Sequence, residues 1–205
     1  MRNLSQVLGV VPMALYKHVA SKEELLDGMV DVIVMEIDAP VGGTDWRIAV
    51  RHRILSGRRA MLRHPWASSV LESRTTATPL VLAYMDSMIA MFRDGRFSVD
   101  LTHHVMHAIG SRMFGFSQEL FVNAASADVD PELRTAMFRQ MAGTYPHVVE
   151  IALHASHDEH SVVGSGCDDQ FEFEFALDIL LDGFERLHLK GWTSHNQPTA
   201  DEPVV

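Results

Sequence analysis

The chain has 205 residues and carries 17 Lys and Arg against 27 Asp and Glu, a formal net charge of −10. Apolar residues make up 47% and charged residues 21%, which suits a globular fold with a sizeable core and excludes a low-complexity or disordered chain. No apolar run reaches membrane-spanning length and no signal-peptide pattern opens the chain, so no membrane partner is expected. Cys167 is the one cysteine, which excludes a disulfide framework and fits a reducing cytoplasm; it reads as incidental in a loop.

The first 26 residues organise the rest. Leu4, Val7 and Leu8 share one helical face, and Gly9 comes next, where a helix ends and the backbone needs positive φ. Val10 is expected to turn inward as the plug of the corner. Pro12 suits the first turn of a second helix, with Leu15 and Val19 as its apolar stripe. Met13, Ala14, Tyr16, Lys17 and His18 lie on its other side. Ser21-Lys22-Glu23-Glu24 has capping-box spacing and opens a third helix. This is the sequence form of a helix-turn-helix, whose second helix enters the DNA major groove. Residues 1–22 hold Arg2, Lys17 and Lys22 and no acid, so this end is +3 and the remainder of a −10 chain is −13. A basic end on an acidic body meets phosphate with that end alone. The plainer alternative is an amphipathic helical pair that simply packs.

Residues 22–38 read as a connecting helix with Leu25, Leu26, Met29, Val30, Ile33 and Ile37 as its stripe. Pro and Gly break the chain at 39–45, the expected domain junction, and Thr44 or Asp45 caps the next helix. Helices are predicted over 46–64, 66–74, 79–95 and 99–121, the last capped by Ser98. Arg47, Arg51, Arg58 and Arg59 make the first of these basic, as a solvated face or as partners for acidic helices. Asp130-Pro131 opens a further helix, another covers the YPHVVEIALHASH stretch, and 158–169 is a polar loop. QFEFEF alternates like a strand, but ALDILLDGFERL after it has helical period and length, so 170–189 is predicted helical. The tail 191–205 reads as disordered. The fold class is all-α: a truncated N-terminal helix-turn-helix with its connecting helix over 1–38, joined to a larger helical effector-binding and dimerisation domain over 45–190.

Two sets of side chains are candidates for binding. Met85, Met88, Ile89, Phe92, Met106 and Met113, with Gly110 among them, form a soft lining for an apolar or aromatic ligand, with polar contacts from Glu72, His103, His107 and Glu119. A Met-rich core explains the same residues. Phe114, Phe171, Phe175, Leu177, Leu181 and Phe184 ask for more cover than one small domain supplies, which points to a homodimer; intramolecular core is the alternative. His103 and His107 are spaced i, i+4, and His154, His157, Asp158 and His160 cluster near a loop, but no third ligand is fixed by spacing, so neither metal nor cofactor is expected. No Gly-rich phosphate loop, nucleophile elbow or HExxH pattern is present, and no enzyme is expected.

LGVVPMALYKHVASKEELLDGMVD resembles the DNA-binding segment of the TetR family of ligand-responsive transcriptional regulators, and the resemblance extends more weakly over the rest of the chain. It implies a probe of operator DNA by Arg2, Pro12, Met13, Ala14, Tyr16, Lys17, His18 and Lys22, with Tyr16, Lys17, His18 and Lys22 on phosphates and Met13 and Ala14 at base edges. It implies an effector among the helices of the larger domain, and a four-helix dimer interface from 99–121 and 170–189. The sequence departs from the family at Val11, where a polar capping residue is usual. The family also has a whole helix before the pair, whereas Met1 falls inside the first helix. About 20 to 40 further residues upstream are therefore expected, failing which this form binds DNA poorly, because a bare apolar face forfeits roughly 25 cal/mol per Å². Glu119 matches the metal-binding glutamate of the tetracycline repressor, but Glu72 stands where its histidine ligand is, so tetracycline is not the expected effector. The expectation is a repressor released from operator DNA by a small apolar or aromatic effector. The alternatives are a regulator-like ligand binder without DNA affinity and a helical His-rich metal-binding protein.

Overall fold

Helices begin where the sequence supplies a cap. The computed structural model describes residues 1–114, 140–155 and 169–196, and among these every regular element is a helix. α1 (Arg2–Val7) and α2 (Pro12–Leu15) are joined through Gly9 at φ 66°, the left-handed conformation a glycine enters without strain. α3 (Lys22–Met35) starts at Ser21, whose hydroxyl accepts from the Glu24 N–H at 3.0 Å. α4 (Trp46–Arg63) starts at Asp45, and α5 (Ala67–Glu72) comes after the break at Pro65. α6 (Pro79–Asp94) has Thr78 as its cap and proline in its first turn. α7 (Val99–Phe114) begins after Ser98, whose hydroxyl accepts from the Leu101 N–H at 3.0 Å. α8 (Pro146–Ala155), α9 (Asp169–Leu189) and a 3₁₀ turn (Ser194–Asn196) complete the described elements.

Three expectations are corrected here. α3 ends at Met35 rather than 38, because the Asp38 N–H leaves the helical ladder and donates to the Ser56 hydroxyl at 2.8 Å. Val10 is 43% exposed and does not plug the corner. The tail is ordered at its start: the Asp100 carboxylate accepts from both the Ser194 N–H and its hydroxyl at 2.7 Å, and the Trp192 ring stands edge-on to His104. Residues 197–205 lie outside the described residues.

The chain divides into two compact units, one of residues 1–114 with 183–205 and the other of 115–182. The junction expected at 39–45 falls inside the first unit, where α3 packs against α4, α5 and α6. The core of that unit is Val50, Ile54, Met88, Phe92, Phe97, Leu101 and Val105. Trp46 lies 5.7 Å from Phe92 and 4.7 Å from Phe97, centroid to centroid, and Phe184 meets Phe92 edge-on at 6.4 Å. A Cβ at Gly95 would stand 2.8 Å from Trp46, so only glycine lets α6 end against that ring. In the second unit Val149, Phe173, Leu177 and Leu181 are buried, while Phe171, Phe175 and Ile179 form an exposed i, i+4, i+8 stripe on α9.

Candidate nucleic-acid interface and effector groove

The α1–α2 surface is built by a turn that holds two short helices together. Leu4, Leu15 and Val19 are half-buried between them. That leaves Arg2, Pro12, Met13, Tyr16, Lys17, His18 and Lys22 exposed, with Ala14 half-buried. Val11 makes no side-chain capping bond, as its residue type dictates, so the first N–H groups of α2 have no side-chain acceptor from the cap. No acidic residue stands in α1 or α2, and the first carboxylates, Glu23 and Glu24, sit at the start of α3.

α6 and α7 form the walls of a groove of about 470 Å³, within the range of small-molecule sites. Met85, Ile89 and Arg93 line it at i, i+4, i+8 from α6; Val99, Thr102, His103, Met106 and His107 line it at helical spacing from α7. The groove thus brings together Met85, Ile89, His103, Met106 and His107 of the expected set. Met88 and Phe92 are 1% and 0% exposed and belong to the core, on the inner side of the stripe whose outer side carries Met85 and Ile89. Met113 turns to Gly57 instead, its methyl 3.0 Å from where a Cβ there would stand. Glu72 is exposed at the end of α5 and does not line the groove, and neither does Gly110. Glu119 lies outside the described residues. Arg93, Val99 and Thr102 were not among the expected residues; continuing the Met85–Ile89 and His103–His107 registers by one turn finds the first two.

α3 connects the two sites and is held along its length by carboxylates. Asp27 pairs with Arg74 at 2.8 Å, and the Thr78 hydroxyl donates to Asp31, tying the middle of α3 to the α5–α6 turn. A cavity of about 210 Å³, lined by Val30, Leu71, Arg74, Thr76 and Val81 among others, lies beside this tie. Beyond the end of α3, Glu36 pairs with His64 and Arg63, each at 2.7 Å, which holds its carboxyl below the usual range. The Ser56 hydroxyl, Arg59 and His52 do the same for Asp38. Arg53, 6% exposed, donates to the Asp38 carbonyl and to Ser87, with its guanidinium 4.9 Å over the Tyr84 ring. Burial pushes the Tyr84 hydroxyl pKa up. Sequence reasoning named none of these ties, since their partners are 14 to 47 residues apart. The basic face of α4 is paired rather than free: Arg59 meets Asp38 at 2.8 Å and Arg47 meets Glu185 at 3.5 Å.

The expected dimer residues separate by exposure. Leu177, Leu181 and Phe184 are buried within the single chain, as the intramolecular-core alternative has them. Phe171 and Phe175 are 62% and 55% exposed, joined by Ile179 at 54%, which was not expected. The Phe114 and His154 side chains, and His157, Asp158, His160 and Cys167, lie outside the described residues. Among the described residues no group of three or more His, Cys, Asp and Glu is placed to hold a metal.

Comparison with known proteins matches residues 39–188 to the family of tetracyclin repressor-like C-terminal domains. An HTH-type transcriptional regulator of Saccharopolyspora erythraea is 26% identical over 155 residues, 71% of this chain and 66% of that protein. The HTH-type transcriptional repressor DrrR1 of Streptomyces coeruleorubidus is 26% identical over 198 residues, covering 91% of this chain and 70% of the repressor. The chain thus spans about two thirds of the length of these relatives. Among solved structures, the TetR family protein ActR of Streptomyces coelicolor in complex with (S)-DNPA superposes with a TM-score of 0.65 at 22% identity, over 91% of this chain and 87% of that one, a likeness of fold. No helix among the described residues is long and apolar enough to cross a membrane. With the family match running from the Pro-Gly break after α3 to the last turn of α9, the chain belongs to the TetR family of transcriptional regulators.

Proposed function

We propose that the protein is a ligand-responsive repressor that binds operator DNA as a homodimer through the exposed side of α2 and is released by a small apolar or aromatic effector in the α6–α7 groove. The observation that carries this reading is the chain of contacts between the two sites. The exposed, acid-free α1–α2 surface runs through a short turn into α3, and α3 is tied by Asp27 and Asp31 to the turn that opens α6. An effector wedged between α6 and α7 shifts α6, and the ties pass that shift to α3 and so to the spacing of two recognition helices, roughly 34–36 Å apart in a dimer of this kind. Lys17, Tyr16, His18 and Lys22 hold phosphates; Met13 and Ala14 touch base edges, and Arg2 reaches a phosphate or a guanine. The second copy packs against Phe171, Phe175 and Ile179, an apolar stripe exposed in the single chain. The protein works in the cytoplasm, with residues 1–38 as the DNA-reading part and 45–190 as the effector and dimer part. Operator fragments selected from random duplex DNA provide the test. Lys17→Ala should weaken binding to every duplex and lower the salt slope by about one. An unchanged slope removes Lys17 from the interface. Because coupling is reciprocal, an effector must bind less tightly to the operator complex than to the free protein, and equal affinity in calorimetry overturns the switch.

A further inference from the structure

The α6–α7 groove carries a set of donors that an apolar effector does not use. His103 and His107 stand one turn apart on α7, both exposed, with ring centroids 4.7 Å apart and planes at 73°. Neither imidazole has a hydrogen-bond partner among the described residues, whereas neighbouring His104 faces Asp100, Nε2 to Oδ1, at 3.7 Å. Met106 lies on the same face of α7, and Met85 faces it from α6. Met85 and Arg93 of α6 line the same groove as Val99, His103, Met106 and His107 of α7, and Met85 stands two turns, about 12 Å at 1.5 Å per residue, from Arg93 along α6. The Arg93 guanidinium also donates to the Phe97 carbonyl, so its charge is held at the far end. Among the described residues no carboxylate lines the groove.

We propose that His103 and His107, with the thioethers of Met106 and Met85, bind a copper ion. Two imidazoles without a carboxylate disfavour Mg²⁺ and Ca²⁺, and thioethers select Cu⁺ over Zn²⁺ and Ni²⁺. An i, i+4 histidine pair spans one helical turn, so both nitrogens reach one ion without moving the backbone. The groove is open, so the ion has an entry path. The site rests on these four donors and is independent of what the effector is.

The test uses the whole chain and Cu⁺ alone, titrated anaerobically against a chromogenic copper chelator. Wild type should hold one equivalent, and binding should weaken on acidification as protons compete for the imidazoles. His103→Ala and His107→Ala should each lower the affinity at least about tenfold, the loss found for lesser changes around metal ligands. Met85→Leu with Met106→Leu, which keeps volume, should lower Cu⁺ affinity similarly and leave the weaker Zn²⁺ binding unchanged. His104→Ala should have no effect. The four histidine and methionine positions are at the surface or half-buried, and circular dichroism checks each variant's fold. Unchanged Cu⁺ affinity in either the histidine or the methionine variants overturns the assignment, as does an equal loss in His104→Ala. Operator binding is not read in this assay, so its outcome stands apart from that of the repressor reading.

Discussion

α1–α2 and α6–α7 are both pairs of helices joined by a short turn with one left-handed residue, Gly9 in the first and Arg96 in the second. Both carry apolar residues at helical spacing. Their fates differ: Val7, Leu8 and Met13 are 84%, 56% and 70% exposed, while Met88, Phe92, Leu101 and Val105 are all 2% exposed or less. The difference lies in what surrounds each pair. α6 and α7 pack on each other, and α6 also packs on α3 and α4, whereas α1 and α2 chiefly meet one another. Local pattern decides that a helix forms and which side is apolar; neighbouring surfaces decide whether that side is covered.

Truncating one apolar side chain in each pair tests this contrast most strongly. Phe92→Ala removes a ring that touches Trp46, Phe97 and Phe184, and should cost roughly 3–5 kcal/mol in denaturant unfolding. Val7→Ala, at a side chain already in water, should change stability by less than about 0.5 kcal/mol. A cost above about 1 kcal/mol at Val7 would mean that a second surface covers α1 in solution. The next effect in size separates two glycines. Gly95→Ala drives a Cβ to 2.8 Å from Trp46 and should cost about 1–3 kcal/mol. Gly110→Ala meets nothing within 4 Å inside α7 and should stabilise by about 0.4–1 kcal/mol through the unfolded chain.

These contrasts also mark what was legible in the sequence. Helix starts were legible because Ser21, Asp45, Thr78 and Ser98 act within three residues of themselves. Gly9 was legible for the same reason. The face of α6 was not: Met85, Met88, Ile89 and Phe92 are alike in chemistry, and only the position of α3 and α4 makes two of them core and two of them groove. Sequence alone leaves Leu177, Leu181 and Phe184 open between a partner and the chain's own core; the single chain already buries them, and the stripe left exposed is Phe171, Phe175 and Ile179. The ties from Asp27, Asp31, Glu36 and Asp38 join residues distant in sequence, and no periodicity points to them.

The caps probe the same contrast at a smaller scale. Ser21→Ala removes the acceptor for the Glu24 N–H and should destabilise α3 by about 1 kcal/mol. α2 has no such acceptor, so Val11→Asp should gain up to about 1 kcal/mol, the same effect with the opposite sign. Helix content by circular dichroism and the denaturation midpoint report both. Val11→Asp also places a carboxylate beside Pro12 and Met13, so it should weaken DNA binding while it strengthens the fold. A variant that gains stability and DNA affinity together would remove α2 from the phosphate surface.

The smallest effect concerns the first turn of α7, which, unlike α2, has a carboxylate in it. Asp100 accepts from the Ser194 N–H and hydroxyl, and these bonds hold its carboxyl below the usual range, with His104 adding a lesser pull. A carboxyl whose folded pKa lies below its unfolded one contributes stability that is fully present above the unfolded value, near 3.8, and is lost as the pH falls through the folded value. Asp100 is exposed enough for water and salt to screen the effect, so the change is expected to be small. Asp100→Asn should therefore lower the denaturation midpoint measurably at neutral pH and be indistinguishable from wild type in strong acid. It should also release Trp192 from His104, red-shifting the fluorescence of a variant in which Trp46 and Trp66 have been replaced by Phe. Asn in place of Asp keeps one acceptor for the Ser194 N–H, so the loss should be smaller than that of Asp100→Ala. If the gap between wild type and Asp100→Asn instead widens on acidification, the link from α7 to the 3₁₀ turn is not held by the ionised carboxylate.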